Sequence, residues 1–101
     1  HRAVAEALEH LADPAAAPAL AKLLARPGMS GHAMKAVEPL HDKPVEKRRR
    51  EASLREITIA RALFACGDHD GLGERILREY TEDLRAVLAR HATDVLAQRG
   101  A

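Results

Sequence analysis

The residues with the clearest chemical potential lie in one short turn, Cys66-Gly67-Asp68-His69-Asp70-Gly71. Carboxylates and imidazoles are common metal ligands, and a thiol near a histidine could act as a nucleophile. The spacing matches neither the HExxH zinc motif nor a calcium-binding loop. An ordinary interhelical turn explains the same residues, because an aspartate accepts hydrogen bonds from the free amides that open a helix. We therefore expect Asp68 or Asp70 to cap the next helix and Cys66 to be buried, while a chemical role for Cys66 or His69 stays open.

The clearest electrostatic feature is the basic run Lys47-Arg48-Arg49-Arg50. Such a run could contact phosphates or an acidic protein surface, and with His32 it forms the candidate interaction surface. The run is equally typical of a solvated helix start or linker, since Glu46, Glu51 and Glu56 are near enough in sequence to pair with it. The whole chain carries 16 basic and 15 acidic residues, a net charge of +1. This balance exerts no general pull toward nucleic acid or an anionic membrane.

The remaining residues that could do chemistry are isolated. No two of the six histidines are spaced four apart, so the sequence offers no local pair of helical metal ligands. His91 lies on an apolar helical stripe, where we expect a core-edge residue with a hydrogen-bonded ring. One cysteine excludes an internal disulfide, and no phosphate-binding loop occurs. We therefore predict no catalytic, cofactor-binding or metal-binding residue in this segment.

The composition favours an all-α fold. The chain has 101 residues, of which 47% are hydrophobic, with one Phe, one Tyr and no Trp. The core must consist mainly of Ala and Leu, which are strong helix formers. No apolar run approaches the roughly 20 residues that span a bilayer, and no signal peptide is visible. We expect one domain over residues 1–101, cut from a longer chain, with the cytoplasm as the default compartment.

Apolar spacing and capping signals predict the helices. Asp13 should cap the second helix, with Pro14 at its start, and Thr81 should cap the last one. An alternative is a single helix from about Leu72 to Ala97. Prolines, glycines and charges predict an irregular insertion over 27–50, with at most a short helix near 32–37. The predicted helices are 2–11, 15–25, 53–66, 72–80 and 81–97.

Two parts of the chain resemble each other. Ala5-Glu6-Ala7-Leu8 aligns with Ala60-Arg61-Ala62-Leu63, and Leu11-Ala12-Asp13-Pro14 aligns with Cys66-Gly67-Asp68-His69, both at an offset of 55 residues. Each part reads as a helix, a turn containing aspartate and a second helix. This form is similar to the HEAT repeat, in which a Leu-Gly-Asp-Pro turn joins two helices. The resemblance implies a short stack of antiparallel helix pairs, with the insertion between repeats.

Most of the chain also resembles the C-terminal helical region of bacterial FAD-dependent oxidoreductases. The stretches that carry this resemblance are Pro27-Gly28-Met29-Ser30-Gly31-His32-Ala33, Leu54-Arg55-Glu56 through Ala60-Arg61-Ala62-Leu63, Cys66-Gly67-Asp68-His69-Asp70-Gly71-Leu72-Gly73, and Asp83-Leu84-Arg85 with Ala89-Arg90-His91-Ala92. In that family the flavin sits in a separate N-terminal domain, whose Gly-x-Gly-x-x-Gly turn is absent here. The resemblance therefore implies FAD in the parent protein and no flavin-binding residue in this segment.

The expected function is a non-catalytic structural or protein-interaction module. Its partner would be the rest of the parent chain or another protein, and its repeat ends could support self-association. The alternative is a nucleic-acid-binding HEAT-like module that uses Lys47–Arg50. Against that alternative stand the balanced charge and the two aromatic residues, which leave little for stacking on bases.

Overall fold

The computed structural model describes residues 2–34 and 43–100, and within these ranges every regular element is helical. This confirms the all-α prediction. In chain order the elements are α1 (Arg2–Leu11), a short 3₁₀ helix (Pro14–Ala16), α2 (Ala17–Leu24), α3 (Lys43–Ala65), α4 (Leu72–Thr81) and α5 (Ala86–Gly100). None of these helices is apolar over a stretch long enough to cross a bilayer.

The first interhelical turn follows the capping prediction. The Asp13 carboxylate accepts a hydrogen bond from the Ala15 amide at 2.9 Å. Pro14 occupies the first helical position, where its missing N–H is not needed. The first turn is a 3₁₀ helix, and α2 begins only at Ala17, with Pro18 in its opening turn. The second helix therefore starts slightly later than its apolar spacing suggests.

The prediction of an irregular insertion over 27–50 is wrong for residues 43–50, which form the first two turns of α3. Proline fits the opening turn of a helix, and Glu, Lys and Arg are good helix formers, so the charged run extends the helix and does not break it. Residues 32–34 are not helical. The rest of the short helix proposed near 32–37 lies outside the described residues.

The end of the chain contains two helices, so the alternative of one helix from Leu72 to Ala97 is wrong. Thr81 ends α4, and its hydroxyl donates back to the Arg78 carbonyl at 2.6 Å. The predicted capping role of Thr81 for the last helix is therefore wrong. In the turn before α5, the Asp83 carboxylate accepts from the Arg85 amide at 2.8 Å.

The long helix α3 organises the core. It packs against α1, α2 and α4, and α4 packs against α5. Small residues allow these helices to approach closely: an added Cβ on Gly73 of α4 would lie 3.0 Å from the Ala60 carbonyl oxygen of α3. The largest completely buried apolar side chains come from α3 and α4, namely Ile57, Ile59, Leu63, Leu77 and Tyr80.

Candidate functional site

A buried carboxylate on α3 holds an irregular segment of the chain. This segment, Gly28–Met34, is called the strap below, and it follows α2. Glu56 is only 1% exposed. Its Oε2 accepts from the Gly31 amide at 2.8 Å, and its Oε1 accepts from the His32 amide at 2.9 Å. The Tyr80 hydroxyl of α4 donates to Oε1 at 2.6 Å. Glu56 therefore joins the strap, α3 and α4 at one point.

A second group of polar side chains holds the other end of the strap. Asp83 Oδ2 accepts from the Met34 amide at 2.9 Å, and the Leu84 amide donates to the Met34 carbonyl at 2.8 Å. The His32 carbonyl accepts from Ser53 Oγ at 3.0 Å and from Arg85 Nη2 at 3.1 Å. These contacts all reach the main chain of the strap, so its path is set by α3 and the α4–α5 turn.

The electrostatics of this cluster keep Asp83 and Arg85 charged. Arg85 donates from Nε to Asp83 Oδ1 at 2.9 Å and from Nη2 to Oδ2 at 2.7 Å. Burial alone would raise the pKa of Asp83, but hydrogen bonds from Arg85 and from the Met34 amide outweigh it and lower the pKa. The hydrogen bond to Asp83 raises the pKa of Arg85.

Burial and the adjacent Glu56 raise the pKa of Tyr80 far above its ordinary value. The phenol therefore stays protonated and donates to Glu56. The Glu56 carboxylate accepts from three donors, namely the amides of Gly31 and His32 and the Tyr80 hydroxyl. These contacts hold the strap against α3 and α4.

Sequence reasoning missed this cluster. It assigned Glu56 to the charged environment of the basic run, whereas the structure buries Glu56 against the strap. The sequence did contain a signal, because Glu56 adjoins the apolar run Ile57-Thr58-Ile59-Ala60. All four of these residues are buried. A helix that is buried on every side also keeps its acidic residues away from solvent. The partners of Glu56 lie 24 and 25 residues away, beyond what helical spacing reveals.

The basic run lies on the exposed first turns of α3. Lys47, Arg48, Arg49 and Arg50 are all exposed. The structure brings Arg49 to the strap, where it lines a pocket together with Arg85 and residues 31–34. His32, predicted with the run as one surface, lies in the same pocket, and its Nε2 donates to the Gly28 carbonyl at 2.6 Å. Of the five predicted surface residues, His32 and Arg49 therefore meet at one place.

The aspartate turn behaves as a helix cap. Asp68 accepts from the Gly73 amide at 2.7 Å and from the Glu74 amide at 2.9 Å, which confirms it as the capping side chain of α4. Asp70 is exposed and lies 3.6 Å from the His69 ring, so the capping role proposed for Asp70 is wrong. Cys66 is buried as predicted, with its thiol 3.5 Å from the Leu8 carbonyl of α1.

No group of three or more metal-ligating side chains occurs within residues 2–34 and 43–100. In the turn, Asp68 caps α4, and the His69 ring lies near Asp70.

A smaller polar cluster joins α1, α3 and α5. Arg61 forms an ion pair with Glu9 at 2.7 Å and donates from Nη1 to His91 Nε2 at 2.8 Å. Since Nε2 accepts, the neutral ring carries its proton on Nδ1. Burial, and then the positive charge of Arg61, lower the pKa of His91. This confirms the expectation of a half-buried core-edge histidine with a partnered ring.

One face of α1 is apolar and uncovered. Val4 is 64% exposed and Leu11 is 73% exposed, and Ala7 between them is exposed as well. These residues occur at positions i, i+3 and i+7, so they line one side of the helix. The adjoining side, with Ala5 and Leu8, packs into the core. An amphipathic helix with a second apolar stripe is typical of a helix packed between two neighbours.

No family model matches the chain, and neither a curated protein nor a solved structure matches it.

Proposed function

We propose that this chain is a non-catalytic, HEAT-like helical module that packs against a further helical layer, in the parent protein or in a partner. The observation that carries the proposal is that equivalent positions are exposed in the first of the two related segments and buried in the second. The uncovered face of α1 consists of Val4, Ala7 and Leu11. Their counterparts at an offset of 55 residues are Ile59 and Ala62 of α3 and Cys66 just after its end, which are at most 1% exposed.

The covered face of α3 indicates what belongs on α1. The α1 helix packs against α3, and the thiol of Cys66 lies against the Leu8 carbonyl of α1. If the two segments are related by translation, a further helix packs on α1 in the same way that α1 packs on α3. Repeat stacks bury their apolar stripes only between neighbouring layers, so the exposed stripe fits the end of such a stack.

The turns support the same relationship. Ala12 and Gly67 align in the two segments, and both have left-handed backbone conformations, with φ values of 48° and 98°. Each is followed by an aspartate that accepts hydrogen bonds from the amides of the next helix. The same local device therefore closes one helix and opens the next in both segments.

The test introduces a charge on the uncovered face. Leu11→Glu should leave the Tm of the isolated 101-residue chain within about 2 °C, because Leu11 is exposed there. In the full-length parent protein the same change should lower the Tm or release the covering partner. His10→Glu is the matched control, since His10 is exposed beside the stripe. An unchanged parent carrying Leu11→Glu would overturn the proposal.

We also propose that the parent is an oxidoreductase with FAD in another domain, which rests on the sequence resemblance described above. The measurement is the flavin content and oxidoreductase activity of the full-length parent, with and without residues 1–101. Flavin retained in a destabilised or inactive truncated protein would support a structural role for this segment. A parent without flavin would contradict the oxidoreductase assignment and leave the proposal for α1 standing.

A further inference from the structure

The pocket between the strap and the start of α3 has a cationic lining. The residues that line it are Gly31, His32, Ala33, Met34, Arg49 and Arg85. Within the described residues this lining includes two guanidinium groups and no carboxylate. Asp83 accepts hydrogen bonds from Nε and Nη2 of Arg85. The open side of the pocket is therefore suited to an anion.

The helix geometry brings the two arginines to the same space. Arg49, Ser53 and Glu56 share one face of α3, at positions i, i+4 and i+7. Arg85 reaches this face, because its Nη2 donates to Ser53 Oγ at 2.9 Å. Arg49 lies one turn from Ser53, which is about 6 Å along the helix axis. Both guanidinium groups can therefore contact one small oxyanion.

Arg85 is positioned before any ligand arrives. Its Nε and Nη2 donate hydrogen bonds to Asp83, Ser53 and the His32 carbonyl. Its Nη1 takes part in no hydrogen bond to another described residue, so this nitrogen can donate to a ligand. A guanidinium that is already held in place loses little side-chain entropy on binding, which favours recognition of planar carboxylates.

We propose that this pocket binds a carboxylate side chain of an acidic peptide segment in a partner protein. Arg85 and Arg49 contact the carboxylate, and the exposed Lys47, Arg48 and Arg50 attract neighbouring acidic residues of the same segment. An acidic peptide fits better than a nucleic acid, because neither Tyr80 nor Phe64 is exposed for stacking on bases. Tyr80 is completely buried and Phe64 is half-buried. This pocket is separate from the uncovered face of α1.

The test is fluorescence anisotropy of a labelled oligo-glutamate peptide with the 101-residue chain at low salt. Arg49→Ala should weaken binding by about fivefold or more, since it removes one charge-assisted contact. Arg90→Ala is the matched control: Arg90 is exposed on α5, and its loss should change binding by less than about twofold. Equal losses for the two variants would mean general charge attraction and would overturn the site.

Two further measurements distinguish peptide from nucleic-acid binding and identify where on the protein the ligand binds. A single-stranded oligonucleotide of equal charge that binds more tightly than the peptide, and loses affinity with Arg49→Ala, would assign the pocket to nucleic acid and overturn the proposal. In a ¹H–¹⁵N spectrum, peptide addition should shift the amides of Gly31, Ala33 and Met34. Shifts confined to α4 or α5 would also overturn it. Failure of either measurement leaves the proposal for α1 intact, because Leu11 plays no part in them.

Discussion

The strongest prediction concerns the buried carboxylate that holds the strap, and the perturbation is Glu56→Gln. The substitution keeps the shape of the side chain but replaces one carboxylate oxygen with an NH₂ group. The remaining carbonyl oxygen can still accept from the His32 amide and the Tyr80 hydroxyl. The NH₂ group then faces the Gly31 amide, which donates to Oε2 in the native protein, so two donors meet and neither has an acceptor.

The magnitude follows from those contacts. A buried amide left without an acceptor costs about 1–3 kcal/mol. The two surviving hydrogen bonds lose their charged acceptor, since bonds to ionised groups are worth roughly twice as much as neutral ones. The neutral side chain recovers part of this loss, because burying a carboxylate is itself unfavourable. We expect Glu56→Gln to lower the free energy of unfolding by about 2–3 kcal/mol, or roughly 10–20 °C in Tm for a domain of this size.

The assay is thermal and urea unfolding followed by circular dichroism, with hydrogen exchange of the strap amides. Glu6→Gln is the matched control, because Glu6 is exposed on α1 and its loss should change stability by less than about 0.5 kcal/mol. Glu56→Gln should accelerate hydrogen exchange of the Gly31 and His32 amides more than exchange of the amides in α4 and α5. Tyr80→Phe should cost about 1 kcal/mol, the value of a single hydrogen bond.

Two results would refute this reasoning. One is a Glu56→Gln variant as stable as Glu6→Gln, which would mean that Glu56 is not buried against the strap. The other is a destabilised Glu56→Gln whose Gly31 and His32 amides keep their native protection. In that case Glu56 would support the helices without holding the strap.

Three further predictions test other parts of the fold. Asp68→Ala should cost about 2 kcal/mol, since α4 loses the acceptor of its first amides, and urea unfolding measures it. Gly73→Ala should destabilise by about 1–2 kcal/mol in the same assay, because its new Cβ would meet the Ala60 backbone at 3.0 Å and this outweighs the gain in helix propensity. For His91, burial and Arg61 lower the pKa below 6.5. Its contribution to stability is therefore complete above about pH 6.5 and is lost as the pH falls through the folded pKa, so His91→Gln should reduce the acid-side loss of stability.

Each of these has a comparison that decides it. Asp68→Asn keeps an acceptor oxygen and should recover at least half of the loss in Asp68→Ala. Gly73→Ala that stabilises the protein would show that α3 and α4 can separate without cost. For His91, the quantity compared is the difference in unfolding free energy between about pH 7.5 and pH 5. Equal differences in His91→Gln and the native chain would mean that Arg61 does not depend on a neutral His91 ring.

Local chemistry made the helix ends of this protein predictable. Asp13, and Asp68 or Asp70, were predicted as caps from the sequence because capping involves only the few residues around a turn. Thr81 was predicted to cap the last helix, but its hydroxyl donates back to the Arg78 carbonyl. The turn before α5 is held instead by Asp83, which accepts from the amides of Arg85 and Met34, and the contact with Met34 spans 49 residues. Spacing along one helix contains no information about such a partner.

The beginning of α3 was mistaken for a different reason. Pro44 and the charged run were read as breaks in the pattern, although both are compatible with the first turns of a helix. Lack of apolar periodicity there reflects a helix exposed on all sides, with residues 46–51 all exposed. Periodicity detects a helix only where one face is buried, so an exposed helical extension gives no such signal.

The way the strap is held has a consequence for how much its sequence can vary. Its contacts with Glu56, Asp83, Ser53 and Arg85 reach main-chain atoms only. The chain path is therefore largely independent of the side chains at positions 32 and 34, whereas Ala33 packs against the core. Replacement of residues 32 and 34 should change the rim of the adjacent pocket while the backbone keeps its course. The fold in this way offers a short, rigidly supported stretch where ligand preference can diversify between related proteins, or be redesigned, with little penalty to folding.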